Sequence, residues 1–217
     1  MRGHWFSILA CVLFASTAGC SSEDANSLPA DNSAAPEGES ASKVLDTFVV
    51  EADFTPLSLN DFYTFPQPKT TQQPTWSATG NVLNCSGTPR GYLYSRKSYR
   101  NFTLRLEYRF PPSSAKRGER SQSKSNTGFL IYMPDEHTLW PASLEVQGRH
   151  DEMGQIKSNS RDVDVTVRDD EQARVAARKP VGKWNEIEIV SRDGTLVSYV
   201  NGTKICESDP GELTAGV

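Results

Sequence analysis

Cysteine is scarce, at four in 217 residues. Cys11 and Cys20 lie in the first twenty residues, which leaves Cys85 and Cys206. Two readings of that remainder stand: a pair formed in an oxidising compartment, or two separate buried thiols. Neither Cys sits near a His or a second Cys in a metal-ligand spacing, so there is no zinc motif and no metal site is assigned. Excess positive charge is absent as well. There are 23 Lys and Arg against 27 Asp and Glu, a net charge of −4. Residues 1–20 contribute only Arg2, so the remainder is one charge more acidic still, which argues against a nucleic-acid partner. The one basic run, Lys116, Arg117, Arg120 and Lys124, lies among Ser, Gly and Gln and reads as a solvated loop. The apolar run from Trp5 to Phe14 is too short to span a bilayer as a permanent helix.

That run, preceded by Arg2, has the character of a signal-peptide hydrophobic region. Thr17-Ala18-Gly19-Cys20 follows it. Small residues before a Cys at this place resemble the bacterial lipobox, although Thr17 stands where Leu is usual. The resemblance implies that residues 1–20 are a lipoprotein signal and that Cys20 is the lipidated first residue of the mature chain. The expected location is extracytoplasmic, with the membrane as a partner through the lipid. Residues 21–43 are rich in Ser, Ala, Asn, Asp, Glu and Pro and have almost no large apolar side chain. Such a segment cannot bury enough surface to offset ordering, and it reads as a flexible acidic tether.

From residue 44 to 217 the pattern is that of one β domain. Short strand candidates at 75–78, 81–85 and 92–95 are separated by Gly-bearing turns. In 102–110, Phe102, Leu104, Leu106, Tyr108 and Phe110 alternate with Thr103, Arg105, Glu107 and Arg109. This is the period-2 signature of a sheet with one face in the core. The charged face reads either as a salt-bridged solvent face or as the rim of a sugar groove. Phe129 to Met133 is continuously apolar and bounded by Gly128 and Pro134, which suits a strand buried on both faces. Ser143 to Gly148 alternates, with Leu144 and Val146 on one side and Glu145 and Gln147 on the other. The C-terminal third is a meander, with Asp193-Gly194 and Asn201-Gly202 as hairpin turns. Only Asp169 to Arg178 reads as helix, stopped by Pro180. One short helix among roughly ten strands makes the expected fold an all-β sandwich or jelly roll. Leu104, Leu106, Phe129, Ile131, Leu144, Val146, Trp184, Ile187 and Ile189 are the expected core.

Several of these segments together resemble the 3-keto-disaccharide hydrolase domain family. They are Trp76, Phe102 to Arg109, Ser125 to Phe129, Glu145 to Gln147, Lys179 to Asn185, and Tyr199 to Gly202. The resemblance runs from about Phe54 to the end and implies a concanavalin/LamG-like jelly-roll β-sandwich, common in bacterial secreted lipoproteins. Departures are Lys124-Ser125, where two Gly are frequent, and Gly148-Arg149-His150-Asp151 after the Glu-Val-Gln strand. The family pattern also implies one more strand beyond Val217 that returns into the sheet; without it one sheet edge would be open.

The family name implies substrates oxidised at carbon 3 of a sugar, an oligosaccharide or keto-sugar. A C3 ketone acidifies the C2 hydrogen; a base removes it, the C1 substituent leaves, and water adds to the enone. This chemistry needs a tuned base, a polar group for the enolate oxygen and an acid for the leaving oxygen. Glu145 is the first candidate for the acid/base, since partial burial would raise its pKa. Asn126 and Gln147 are amides suited to sugar hydroxyls or the keto oxygen. His150 could share proton transfer, and Trp140 could stack on a sugar or simply pack. A structural or sugar-binding role for Glu145 stands beside the catalytic one. Ordinary two-carboxylate glycoside hydrolysis needs paired carboxylates about 5–9 Å apart, and Gln147 occupies the alternate position. A non-catalytic carbohydrate-binding module remains the alternative. Whether a cofactor or metal takes part is left open by the sequence.

Overall fold

The structure, a computed structural model, describes residues 6–15, 52–66, 74–111 and 125–217. Cys20, the tether 21–43 and the basic cluster 116–124 lie outside the described residues. The described residues form a jelly-roll β-sandwich with one short helix.

The larger layer is a nine-stranded sheet. Its strands are β1 (Phe6–Ala15), β2 (Phe54–Leu57), β4 (Trp76–Thr79), β5 (Val82–Cys85), β7 (Thr103–Arg109), β11 (Val167–Asp169), β12 (Asn185–Arg192), β13 (Thr195–Val200) and β14 (Thr203–Ser208). They run in the order β11-β14-β13-β12-β7-β1-β5-β4, with β2 also on β1. The second layer has a three-stranded sheet, β10 (Ile156–Ser158), β9 (Leu144–Gln147) and β8 (Gly128–Ile131), in that order. A two-stranded sheet pairs β3 (Phe62–Phe65) with β6 (Tyr92–Ser95). The apolar run of the expected leader is thus β1 here, a central strand between β7 and β5.

The meander follows from its turns. Asp193-Gly194 has φ of 45° and 83°, and Asn201-Gly202 has φ of 47° and 79°. Positive φ at both central residues is what a tight hairpin matching the strand twist needs, and Asn, Asp and Gly tolerate it best. Helix α1 (Glu171–Ala177) is shorter than its sequence segment. Asp169 is the last residue of β11, and Asp170 caps the helix by accepting from the Ala173 amide at 2.8 Å.

Alternation decides which side chains meet between the layers. Ile187 and Ile189 of β12 pair with Leu106 and Leu104 of β7. Leu106, Ile131, Leu144, Val146, Ile187 and Ile189 are buried, while Leu104 and Phe129 are partly buried against them. The Tyr108 ring meets Phe129 edge-on at 5.6 Å, and its hydroxyl donates to the Gly148 carbonyl at 2.7 Å, joining the layers. On the opposite face of β7, Arg105 and Glu188 form an ion pair at 2.6 Å.

Two core expectations are corrected. Trp184 shares the parity of Glu186 and Glu188, so it faces away from the core, with the Arg109 guanidinium 4.7 Å above its ring. The inward position belongs to Asn185, which is buried. Its carbonyl oxygen accepts from the Lys179 amide at 2.7 Å and from Asn201 at 2.9 Å, tying the segment before β12 to the next hairpin. The second correction is β8. It ends at Ile131, because Tyr132 takes φ of 63°, and only Phe129 and Ile131 face the core; a cavity that extends between the layers to Leu104 and Leu106 of β7 wraps this strand and is lined by Leu130 of the other face as well. Cys85 and Cys206 are both free and buried.

Candidate active site

The cavity has a volume of about 520 Å³. It lies against β8, β9 and the β3–β6 sheet, a size suited to a small organic ligand. Its floor carries Glu145. In β9, Leu144 and Val146 point into the core, which leaves Glu145 on the outer face beside Leu130 of β8 and Lys157 of β10. Its carboxylate leans across β8. A methyl group at Gly128 would lie 1.9 Å from Oε1 of Glu145, so the missing side chain of Gly128 is what makes the space. Among the described residues the Glu145 carboxylate accepts no hydrogen bond and forms no ion pair. Burial raises its pKa above the ordinary carboxylate range; Lys157 opposes the rise and Glu152 adds to it.

One wall is aromatic. Tyr92 and Tyr94 of β6 line it together with Phe62 of β3, while Phe65 and Tyr63, the β3 partners of Tyr92 and Tyr94, pack on those two rings without lining the cavity. His137 lies 3.8 Å from the Tyr94 ring centroid, and the Tyr92 hydroxyl donates to the Thr138 carbonyl at 2.8 Å. These contacts seat the segment that presents Trp140, which is 64% exposed and also lines the cavity. Burial raises the Tyr92 phenol's pKa, so it holds its proton at neutral pH. On the β10 side of Glu145, outside the residues that line the cavity, the neighbours are charged. Glu152 receives Lys157 Nζ at 2.6 Å on one oxygen, and Arg149 on the other.

The structure brings Glu145, Asn126 and Trp140 to one cavity. Gln147 and His150 do not line it. Gln147 is buried and its amide oxygen accepts from the Arg149 amide at 2.8 Å, closing the turn after β9. His150 stands in a 3₁₀ turn with Nε2 3.0 Å from the Lys179 carbonyl. Sequence reasoning does not mark Tyr92, Tyr94, Lys157 or Glu152. The Tyr-x-Tyr alternation in β6 could have suggested an aromatic face; the three-residue β10 carries too short a pattern to reveal Lys157.

A jelly-roll sandwich with a half-buried carboxylate and an aromatic wall in one cavity has the makings of a carbohydrate-active domain. Over residues 59–216 the sequence matches the 3-keto-alpha-glucoside-1,2-lyase-like domain family, and the chain belongs to that family. No curated protein matches the chain. Among solved structures, that of a "Putative glycosyl hydrolase" from Parabacteroides distasonis ATCC 8503 is similar at 21% identity, with a TM-score of 0.44. The alignment covers 62% of this chain and 63% of that one, less than two thirds of either.

Proposed function

We propose that the domain cleaves glycosides whose sugar carries a ketone at C3, by elimination and then hydration. The observation that carries this reading is Glu145: a carboxylate without a partner among the described residues, with a pKa raised by burial, at the floor of the cavity. Such a group is a better base near neutral pH than a solvated carboxylate. Glu145 takes the C2 proton. The electron pair moves to form the enol(ate) of the C3 ketone and then expels the C1 oxygen. Glu145, now protonated, returns that proton to the departing oxygen, and water adds across the resulting C1–C2 double bond. The exposed amide of Asn126 suits the keto oxygen or a hydroxyl, and Trp140 suits the apolar face of a sugar ring. Gln147 and His150 take no part in this scheme, since both are engaged elsewhere. On the sequence signal alone, we also propose that Cys20 is lipidated and holds the domain outside the cytoplasm at a membrane.

The test is sugar release from 3-keto-trehalose and 3-keto-cellobiose compared with their unoxidised parents. E145Q is expected to keep its fold and sugar affinity while turnover of the keto-sugars falls by about 10²–10⁴. Binding of the sugars with no turnover by the unmodified chain would instead make the domain a binding module.

A further inference from the structure

Lys157 stands directly opposite Glu145 in the β9–β10 pair. Directly opposed side chains in antiparallel strands have Cβ atoms about 4.5–5.5 Å apart. A Lys and a Glu so placed would ordinarily pair, and the pair would lower the carboxyl's pKa and blunt it as a base. Here the two do not pair. Lys157 Nζ is 2.6 Å from Oε2 of Glu152, in the turn between β9 and β10, and Glu152 engages Arg149 through Oε1. Glu145 leans the other way, over Gly128 on β8, and β8 and β10 flank β9 on opposite sides.

We infer that Glu152 is a positioning residue of the site: by holding Lys157 it keeps that cation off Glu145 and leaves the Glu145 carboxylate turned into the cavity. The inference rests on the proposed role of Glu145 as base. The other charged or titratable groups facing Glu145 are few among the described residues. Arg90, Tyr92 and Tyr94 line the same cavity from in and before β6, with His137 against the Tyr94 ring; Cys85 of β5, Tyr99 and Tyr132 line it further off, and β8 with the two residues before it offers the neutral Asn126, Thr127 and Leu130. Lys157 is therefore the cation whose placement matters most. It is only partly exposed, with 36% of its side chain accessible, so its interaction with either carboxylate is not fully screened.

The experiment is a carboxyl carbon-13 NMR titration of Glu145 in the full chain, beside the pH profile of kcat/KM on a 3-keto-glycoside. In E152Q, loss of the Glu152 charge alone lowers the Glu145 midpoint slightly, and Lys157 released to Glu145 should carry the drop to about one pH unit or more, the Lys157 share being what K157M on the E152Q background removes. The acidic limb of the profile should move down with it. Adding K157M to E152Q should return the midpoint upward. K157M alone should move it by less than E152Q does, since Lys157 is already held away, and this variant serves if E152Q does not fold. An unmoved or raised midpoint in folded E152Q overturns the inference. So does K157M alone raising it by the full unit, which would mean that Lys157 had been paired with Glu145 throughout. Should the NMR midpoints follow the expected pattern while no keto-glycoside turns over, the positioning holds and the proposed activity fails.

Discussion

Replacing Gly128 with alanine tests the placement of the Glu145 carboxylate separately from the stability of the sheet. A Cβ on Gly128 would lie 1.9 Å from Oε1, 2.7 Å from Cδ and 2.8 Å from Cγ of Glu145. Ordinary contact begins near 3.4 Å, so the carboxylate has to withdraw by about 1.5 Å. The overlap is with the side chain and not with backbone, so Glu145 can yield by changing rotamer, at about 0.5–1.5 kcal/mol. Removing a glycine from a strand returns about 0.5–1 kcal/mol. The two nearly cancel. A domain of this size moves in Tm by about 2–4 °C per kcal/mol, so G128A should melt within about 4 °C of the unmodified chain. Turnover should suffer far more, because a displacement of about 1 Å at a reacting group can cost about 100-fold. The assay is release of sugar from a 3-keto-glycoside, run beside a thermal melt. Full turnover in a stable G128A would refute the role given to the Glu145 position. A Tm drop of about 10 °C would show that the backbone, and not the carboxylate, had moved.

Ile131→Ala should destabilise the domain by about 2–5 kcal/mol, since Ile131 is buried between the layers; chemical denaturation measures this, and an unchanged midpoint speaks against the packing described. E145Q should gain stability relative to the unmodified chain as pH rises. Burial raises the Glu145 pKa in the fold, so the folded state binds a proton more tightly than the unfolded state, and stability falls with rising pH between the ordinary carboxylate value and the raised one. E145Q lacks that loss; urea unfolding at pH 4 and pH 7 should show the gap widening in its favour, and a gap independent of pH removes the burial argument. Intact-mass analysis of the membrane fraction should find a diacylated chain beginning at Cys20, and a soluble form with an unmodified N-terminus rules that out.

The legible parts of this fold are those where one pattern dominates locally. Tyr92–Ser95 and Thr103–Arg109 alternate cleanly or are bounded by Gly and Pro, and the two hairpins carry residue pairs that tolerate positive φ. Trp184 misleads because its size suggests the core, while its parity with Glu186 places it outside; alternation outranks hydrophobicity there. Glu145 on an outer strand face is readable from Leu144 and Val146. The fate of Gln147 is not. Its face is the same as that of Glu145, but the chain turns at Gly148 and the amide is consumed by the Arg149 backbone. Nor could the sequence show that Glu152 and Lys157 meet, because that contact depends on how the turn between β9 and β10 folds back.

The place of β1 bears on the order of events in the life of this chain. Along one edge it pairs with Val82–Cys85 and with Phe54–Leu57, and along the other with β7. If the leader is cut before Cys20, as proposed, this strand leaves. The interval between β5 and β7 would then be about two strand spacings, roughly 10 Å, and the β4–β5 hairpin and β2 would lose their link to the meander. Cleavage would therefore rewire the sheet and do more than trim an end. A chain that folded around its leader first would hide the segment that export machinery must grasp. If the chain is exported as proposed, it would have to cross the membrane ahead of the closing of its own sheet.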